Sequence, residues 1–292
     1  MQVILAPNSG FCFGVKRAIN ITYKTMENSD IPVYTYGPII HNPQVVNELK
    51  RKGVIPITTL SEDTKPGKLI IRSHGAPPSV FSEAKRLGFK IIDATCPFVK
   101  KAQQYAKILR DKGYEVIIVG EANHPEVISI AEYADVNLSG LPNRQAGDRQ
   151  GAKVINPEDL FEPIQVSEKL GVIAQTTIPV HYFQKVVKLL LPYAKELRVY
   201  NTVCEATVLR QKSTLELANK VEVMIVVGGK ESANTSRLAQ LLRDSGKETY
   251  HIETSDELKE TWFKGKSKVG VTGGASTPDW IVKDVMEKIR KL

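Results

Sequence analysis

Cysteine is scarce in this chain: there are three in 292 residues, and no two form a Cys-x-x-Cys pair. That scarcity argues against a disulfide-stapled scaffold, and the missing pairs remove the usual signature of structural zinc. The chain also lacks Gly-x-Gly-x-x-Gly, Gly-x-Ser-x-Gly and His-Glu-x-x-His. Gly265-Lys266-Ser267 has the tail of a phosphate-binding P-loop, but Glu260 stands where its first glycine belongs. Nicotinamide, ATP and zinc-protease chemistry therefore lose their ordinary support. No apolar run approaches membrane-spanning length, and with the first strand starting almost at Met1 no secretory or transit segment is expected. A cytoplasmic protein is expected, with no membrane partner. The formal net charge is +8, yet the lysines (Lys16, Lys50, Lys85, Lys107, Lys185, Lys220) are scattered along helical faces and no dense basic run occurs. Such a surface suits solvation or an acidic redox partner better than nucleic acid.

What is present is a repeat built around the three cysteines. Lys90 to Gln103 reads as a short apolar strand, then Cys96, then a helix opened by Pro97. Proline suits the first helical position, so Cys96 takes the N-cap, where orphan amides and the helix dipole favour a thiolate. Cys12 follows the strand-like Val3-Ile4-Leu5-Ala6, and Cys204 follows Leu197-Arg198-Val199-Tyr200. Each is again succeeded by a helical stretch. Beyond each cysteine come a strand, a glycine and polar side chains: His41 at 29 residues from Cys12, His124 at 28 from Cys96, Ser232 and Asn234 at 28 and 30 from Cys204. A second polar strand end recurs at Ser73-His74-Gly75, Gln175-Thr176-Thr177 and Gly274-Ala275-Ser276.

These recurrences predict an α/β protein of three similar small modules, residues 13–96, 97–204 and 205–292. Modules one and two each count four strands, whereas module three runs out after three, so strand 1–12 is expected to complete it. Short apolar strands separated by helices imply parallel sheets, and the chain would close as a ring around a pseudo-threefold axis, with the three cysteines at a central site for which iron–sulfur is favoured over zinc because close Cys-x-x-Cys pairs are missing. Ligands of such sheets bind off the carboxyl ends of the strands, where all three cysteines and the polar loops fall. Residues 135–165 are irregular, and a surface insertion is expected near 135–160, with a strand inside it around 152–155.

Three thiolates on one axis can hold an iron–sulfur cluster, a zinc ion with one histidine, or nothing. A four-iron cluster normally takes four thiolates, so with three one iron would lack a protein ligand. The polar set around them suits a polyanion such as a diphosphate: His41, His74 and His124 can donate ring N–H groups, and Ser232, Asn234 and Ser276 add neutral donors, several of them at helix starts. Glu126, two residues past His124, is the candidate proton donor because a carboxyl kept from water has a raised pKa. Thr176 can relay a proton. A substrate-free electron carrier and a basic nucleic-acid binder are the two other classes of function considered.

Gly10-Phe11-Cys12-Phe13-Gly14-Val15-Lys16-Arg17-Ala18, Ser73-His74-Gly75, Asp93-Ala94-Thr95-Cys96-Pro97, His124-Pro125-Glu126-Val127, Gln175-Thr176-Thr177 and Asn201-Thr202-Val203-Cys204 together resemble the 4-hydroxy-3-methylbut-2-enyl diphosphate reductase family, over nearly the whole chain. The resemblance implies reductive removal of an allylic hydroxyl, giving isopentenyl and dimethylallyl diphosphate at the end of the non-mevalonate route. It further implies that Cys12, Cys96 and Cys204 ligate a [4Fe-4S] cluster whose open iron takes the substrate hydroxyl. His41, His74, His124, Thr176, Ser232, Asn234 and Ser276 would bind the allylic diphosphate. Glu126 and Thr176 would be catalytic, and a ferredoxin or flavodoxin would deliver electrons. One departure is that Ala233 stands where the family often has a second serine.

Overall fold

The computed structural model describes residues 1–134, 153–155 and 166–292. Its elements run, in chain order, β1 (Gln2–Leu5), α1 (Phe13–Glu27), β2 (Val33–Tyr36), α2 (Pro43–Arg51), β3 (Val54–Ile57), β4 (Lys68–Ile71), α3 (Pro78–Arg86) and β5 (Lys90–Asp93). Next come α4 (Pro97–Asp111), β6 (Glu115–Val119), α5 (Pro125–Tyr133), β7 (Lys153–Ile155), β8 (Lys169–Ala174), α6 (Val180–Leu190) and β9 (Glu196–Val199). The last elements are α7 (Glu205–Ala218), β10 (Val223–Val227), α8 (Ala233–Asp244), β11 (Thr249–Ile252), β12 (Lys268–Gly273) and α9 (Asp279–Lys291).

The strands form three four-stranded sheets in the orders β3-β2-β4-β5, β7-β6-β8-β9 and β11-β10-β12-β1, with every pairing parallel. In each sheet the second strand flanks the first, the third takes its other side and the fourth closes the edge. In the third sheet that fourth strand is the N-terminal one, with Val3 opposite Val269 and Leu5 opposite Val271. Parallel strands covered on both faces must be apolar on both. Val116 to Val119 in β6 and Val223 to Val227 in β10 are accordingly buried without alternation.

By compactness the chain falls into two units. Unit 1 comprises Met1–Ile19, Ile40–Lys52 and Glu205–Leu292, and unit 2 comprises Asn20–Ile39 and Gly53–Cys204. Unit 1 contains one sheet, with α9 packing Ile281, Val282, Val285 and Ile289 on one side of it and Leu217, Leu238 and Leu242 of α7 and α8 packing with Met224 and Val226 on the other. Unit 2 contains the other two sheets. Its largest core joins α4 and α5 to β6 and β8 through Ala102, Ala106, Leu109, Val127, Ile130 and Ile173.

Helix α6 stops at Leu190 and tightens into a 3-10 turn, Leu191–Tyr193, because Pro192 has no N–H to continue the ladder. Helix α1 starts at Phe13, directly after Cys12. Apart from β7, the insertion expected near 135–160 lies outside the described residues.

Candidate functional site

Each cysteine immediately precedes a helix: Cys12 before α1, Cys96 before α4 and Cys204 before α7. Cys96 is the N-cap and Pro97 the first helical residue, and the carbonyls of Cys12 and Cys96 accept the first helical bonds, from Lys16 and Lys100. The three share one further device. The backbone N–H of each donates to a carbonyl in the turn after the third strand of its own sheet: Cys12 to Ala275 at 3.1 Å, Cys96 to Ser73 at 2.9 Å and Cys204 to Thr176 at 2.9 Å. The turns that carry Ser276, His74 and Thr176 are thereby pinned to the backbone of a cysteine. All three cysteines are partly buried and outside any disulfide, a donor set that suits thiolate ligation of a metal or cluster.

The helix after the first strand of each sheet supplies the second group. In unit 2, His124 caps α5, and its Nδ1 accepts from the Glu126 backbone N–H at 3.2 Å. A ring nitrogen that accepts carries no proton, so in the neutral imidazole the hydrogen sits on Nε2, which can donate outward. His74 lies edge-on to this ring, with centroids 5.4 Å apart. Glu126 is 1% exposed. Its carboxyl accepts from the Thr176 N–H at 2.6 Å and from Thr176 Oγ1 at 2.9 Å. Burial pushes the Glu126 carboxyl up to about 7; the two Thr176 hydrogen bonds offset part of this, and the charge of Glu121 adds to it. Glu121 itself is half-buried, and its N–H donates to Gln175.

In unit 1 the same positions carry neutral groups. Ser232 caps α8, accepting from Thr235, and Ser276 Oγ donates to Ser232 Oγ at 3.2 Å and to the His41 carbonyl at 3.0 Å. Asn234 is 5% exposed, and its side-chain Nδ2 is buried without a hydrogen-bond partner. An orphan donor in the first turn of a helix suits an anion.

Sequence reasoning missed two polar groups here. Asn42, not His41, caps α2, and its Nδ2 is buried and unsatisfied. Gln44, two residues on, has a buried and unsatisfied Oε1. Repeat register could have found Gln44, because it stands two past its N-cap, as Glu126 and Asn234 do. His181 and His251 lie apart from these clusters: His181 is exposed on α6 and His251 bonds the Gly228 carbonyl.

A family profile described as LytB protein matches residues 3–290. The chain is 44% identical to the 4-hydroxy-3-methylbut-2-enyl diphosphate reductase of Aquifex aeolicus (strain VF5), over all of this chain and 97% of that one. It is 45% identical to the enzyme of the same name from Geobacter sp. (strain M21), over 99% and 97%. Among solved structures it is similar to (E)-4-hydroxy-3-methyl-but-2-enyl diphosphate reductase, described as the terminal enzyme of the non-mevalonate pathway, at TM-score 0.70 and 43% identity over the whole of both chains. The corresponding reductase from Plasmodium falciparum matches at TM-score 0.86 and 26% identity, over 98% of this chain and 87% of that one.

Proposed function

The chain belongs to the LytB family, and from that premise we propose that it reduces (E)-4-hydroxy-3-methylbut-2-enyl diphosphate to isopentenyl and dimethylallyl diphosphate. Two electrons and two protons are consumed, the allylic C–O bond breaks, and the hydroxyl leaves as water. Glu126 carries the proposal: a fully buried carboxyl, locked to Thr176 and still protonated in good part near neutral pH, is what a leaving hydroxyl needs.

Cys12, Cys96 and Cys204 would hold a [4Fe-4S] cluster, one from each of the modules 13–96, 97–204 and 205–292 with 1–12. When bound, it would supply the electrons and one iron without a protein ligand as a Lewis acid. An external ferredoxin or flavodoxin would recharge it. No helix among the described residues is long and apolar enough to cross a membrane, in keeping with a cytoplasmic enzyme.

The chain's own groups bind, orient and protonate. His124 offers Nε2–H because its Nδ1 is already engaged, and His41 and His74 add imidazoles. Asn234 offers an unused amide, and Ser232 and Ser276, joined by their own hydrogen bond, would add hydroxyls to the diphosphate site. Thr176 holds the Glu126 carboxyl by backbone and side chain, so its proton is presented in one orientation. Burial keeps water from competing for that proton.

The decisive experiment is anaerobic purification with iron and sulfide analysis, followed by the visible spectrum with and without the hydroxylated diphosphate. About four irons per chain and a spectral change on adding the diphosphate are expected. Colourless, iron-free protein would sink the proposal, and a cluster indifferent to the diphosphate would favour a simple electron carrier.

A further inference from the structure

The three modules differ at the sixth residue after each cysteine. That position faces inward in every case, yet it is Ala18 in α1, Ala102 in α4 and Arg210 in α7, at 0%, 0% and 3% exposure. Two modules fill the position with a methyl group and the third with a guanidinium. Burying a cation is costly unless its donors are well used, so a fold that keeps one there is using its geometry.

Arg210 reaches the backbone on both sides of a close contact. Its Nη1 donates to the Gly273 carbonyl at 2.7 Å and its Nη2 to the Gly10 carbonyl at 2.9 Å. Gly10 stands two residues before Cys12 and Gly273 three before Ser276. The two glycines leave no side chain between the segments: a Cβ on Gly273 would come within 3.2 Å of the Gly10 nitrogen. Gly10 itself has φ +86, and a Cβ there would clash with Asp279 Oδ1. Neighbouring bonds secure the same pair of segments, with the Gly273 N–H on Ser9 Oγ at 3.2 Å, the Cys12 N–H on the Ala275 carbonyl at 3.1 Å and Ser213 Oγ, one turn past Arg210, on the Pro7 carbonyl at 2.6 Å.

We infer that Arg210 is a positioning residue: its planar fork bridges the Gly10 and Gly273 carbonyls and so holds the Cys12 segment in register with the Ser276 turn. A guanidinium spans two carbonyls with fixed spacing, which a lysine ammonium on a flexible stem does not. Arg210 acts through the segments it joins, and its effect on a bound cluster rests on the function proposed above.

The test is hydrogen exchange at the cysteine amides of the iron-free protein, paired with the electron paramagnetic resonance spectrum of the reduced, reconstituted protein. In Arg210→Met, exchange at Cys12 is expected to rise at least tenfold, while Cys96 and Cys204 stay within about twofold of the parent chain. Arg210→Lys should fall between, because one donor is restored. The cluster signal should change in Met and partly recover in Lys. Unchanged exchange at Cys12, or an equal rise at all three cysteines, would overturn the inference. If Arg210→Met does not fold, Arg210→Lys decides alone by the same contrast between cysteines. Iron-free parent protein would sink the cluster proposal, whereas the Cys12 contrast judges Arg210 independently.

Discussion

Two residues past the helix cap, unit 2 places Glu126 and unit 1 places Asn234, both almost fully buried. The caps themselves are His124 and Ser232, and the facing turns bring Thr176 and Ser276. The backbone is the same in both, down to a strand, a cap and a cysteine N–H holding the opposite turn. The chemistry differs: unit 2 spends its hydroxyl on holding a carboxyl, while unit 1 strings its hydroxyls together and leaves an amide donor unused. On the proposed function one scaffold would serve proton delivery in one place and anion binding in the other, and the difference lies in which side chain occupies the second helical position.

The sharpest way to break this comparison is to make the two positions alike. Glu126→Gln keeps shape and burial but removes the dissociable proton, and turnover should fall by roughly 100- to 10,000-fold, the usual worth of a positioned acid. The cluster spectrum should be unaltered. Near-normal turnover would take Glu126 out of the proton role and erase the distinction between units.

The same change should also be visible in stability. The folded-state pKa of Glu126 is raised from 4.5 to about 7, so between those pH values the folded chain holds a proton that the unfolded chain has released. Stability must therefore fall as pH rises through that window. With each pKa unit worth 1.36 kcal/mol, the loss reaches ~3 kcal/mol above neutrality. Denaturant titrations from pH 4.5 to 8 should show this slope in the parent chain and lose it in Glu126→Gln. A slope common to both would mean that other groups set it.

Much of this arrangement could be read from residue order. Pro97 announced the helix start after Cys96, and the run of four strands per module foretold that the N-terminal strand was wanted elsewhere. Spacing also singled out Glu126, two residues past His124. What stayed hidden depends on burial that no local pattern signals. The inward face of α7 is Thr207, Arg210, Ser213, Thr214 and Leu217, which looks solvated in sequence because Arg210 and Ser213 bond backbone carbonyls of distant loops and Thr214 bonds the Thr272 hydroxyl. Gln44 likewise reads as an ordinary helix residue until its oxygen is found buried and unsatisfied. The assignment of residues 40–52 to unit 1, away from the strands β2 and β3 that flank them in sequence, is set by tertiary packing and left no mark on the repeat.

On the unit 1 side, Asn234→Ala removes one neutral donor to a charged ligand, an interaction worth about 1.5–3 kcal/mol. KM for the diphosphate should rise by roughly 10- to 150-fold, with kcat and its pH dependence little changed. A shift of the pH profile instead would mean that Asn234 participates in proton handling and that the units are not divided as described.

The smallest effect, and the finest probe, is Thr176→Val. The Thr176 hydroxyl is one of the two hydrogen bonds that hold the Glu126 pKa down against burial. Removing it while the Thr176 N–H still donates should move that pKa further up. The alkaline limb of the kcat profile, where the acid loses its proton, should then shift to higher pH, and turnover at its best pH should fall only by about the tenfold expected from looser orientation. A limb that moves the opposite way would show that the hydroxyl stabilises the neutral acid rather than the carboxylate, reversing the direction of the Thr176–Glu126 hydrogen bond and leaving unit 2 with a proton chain that starts at threonine.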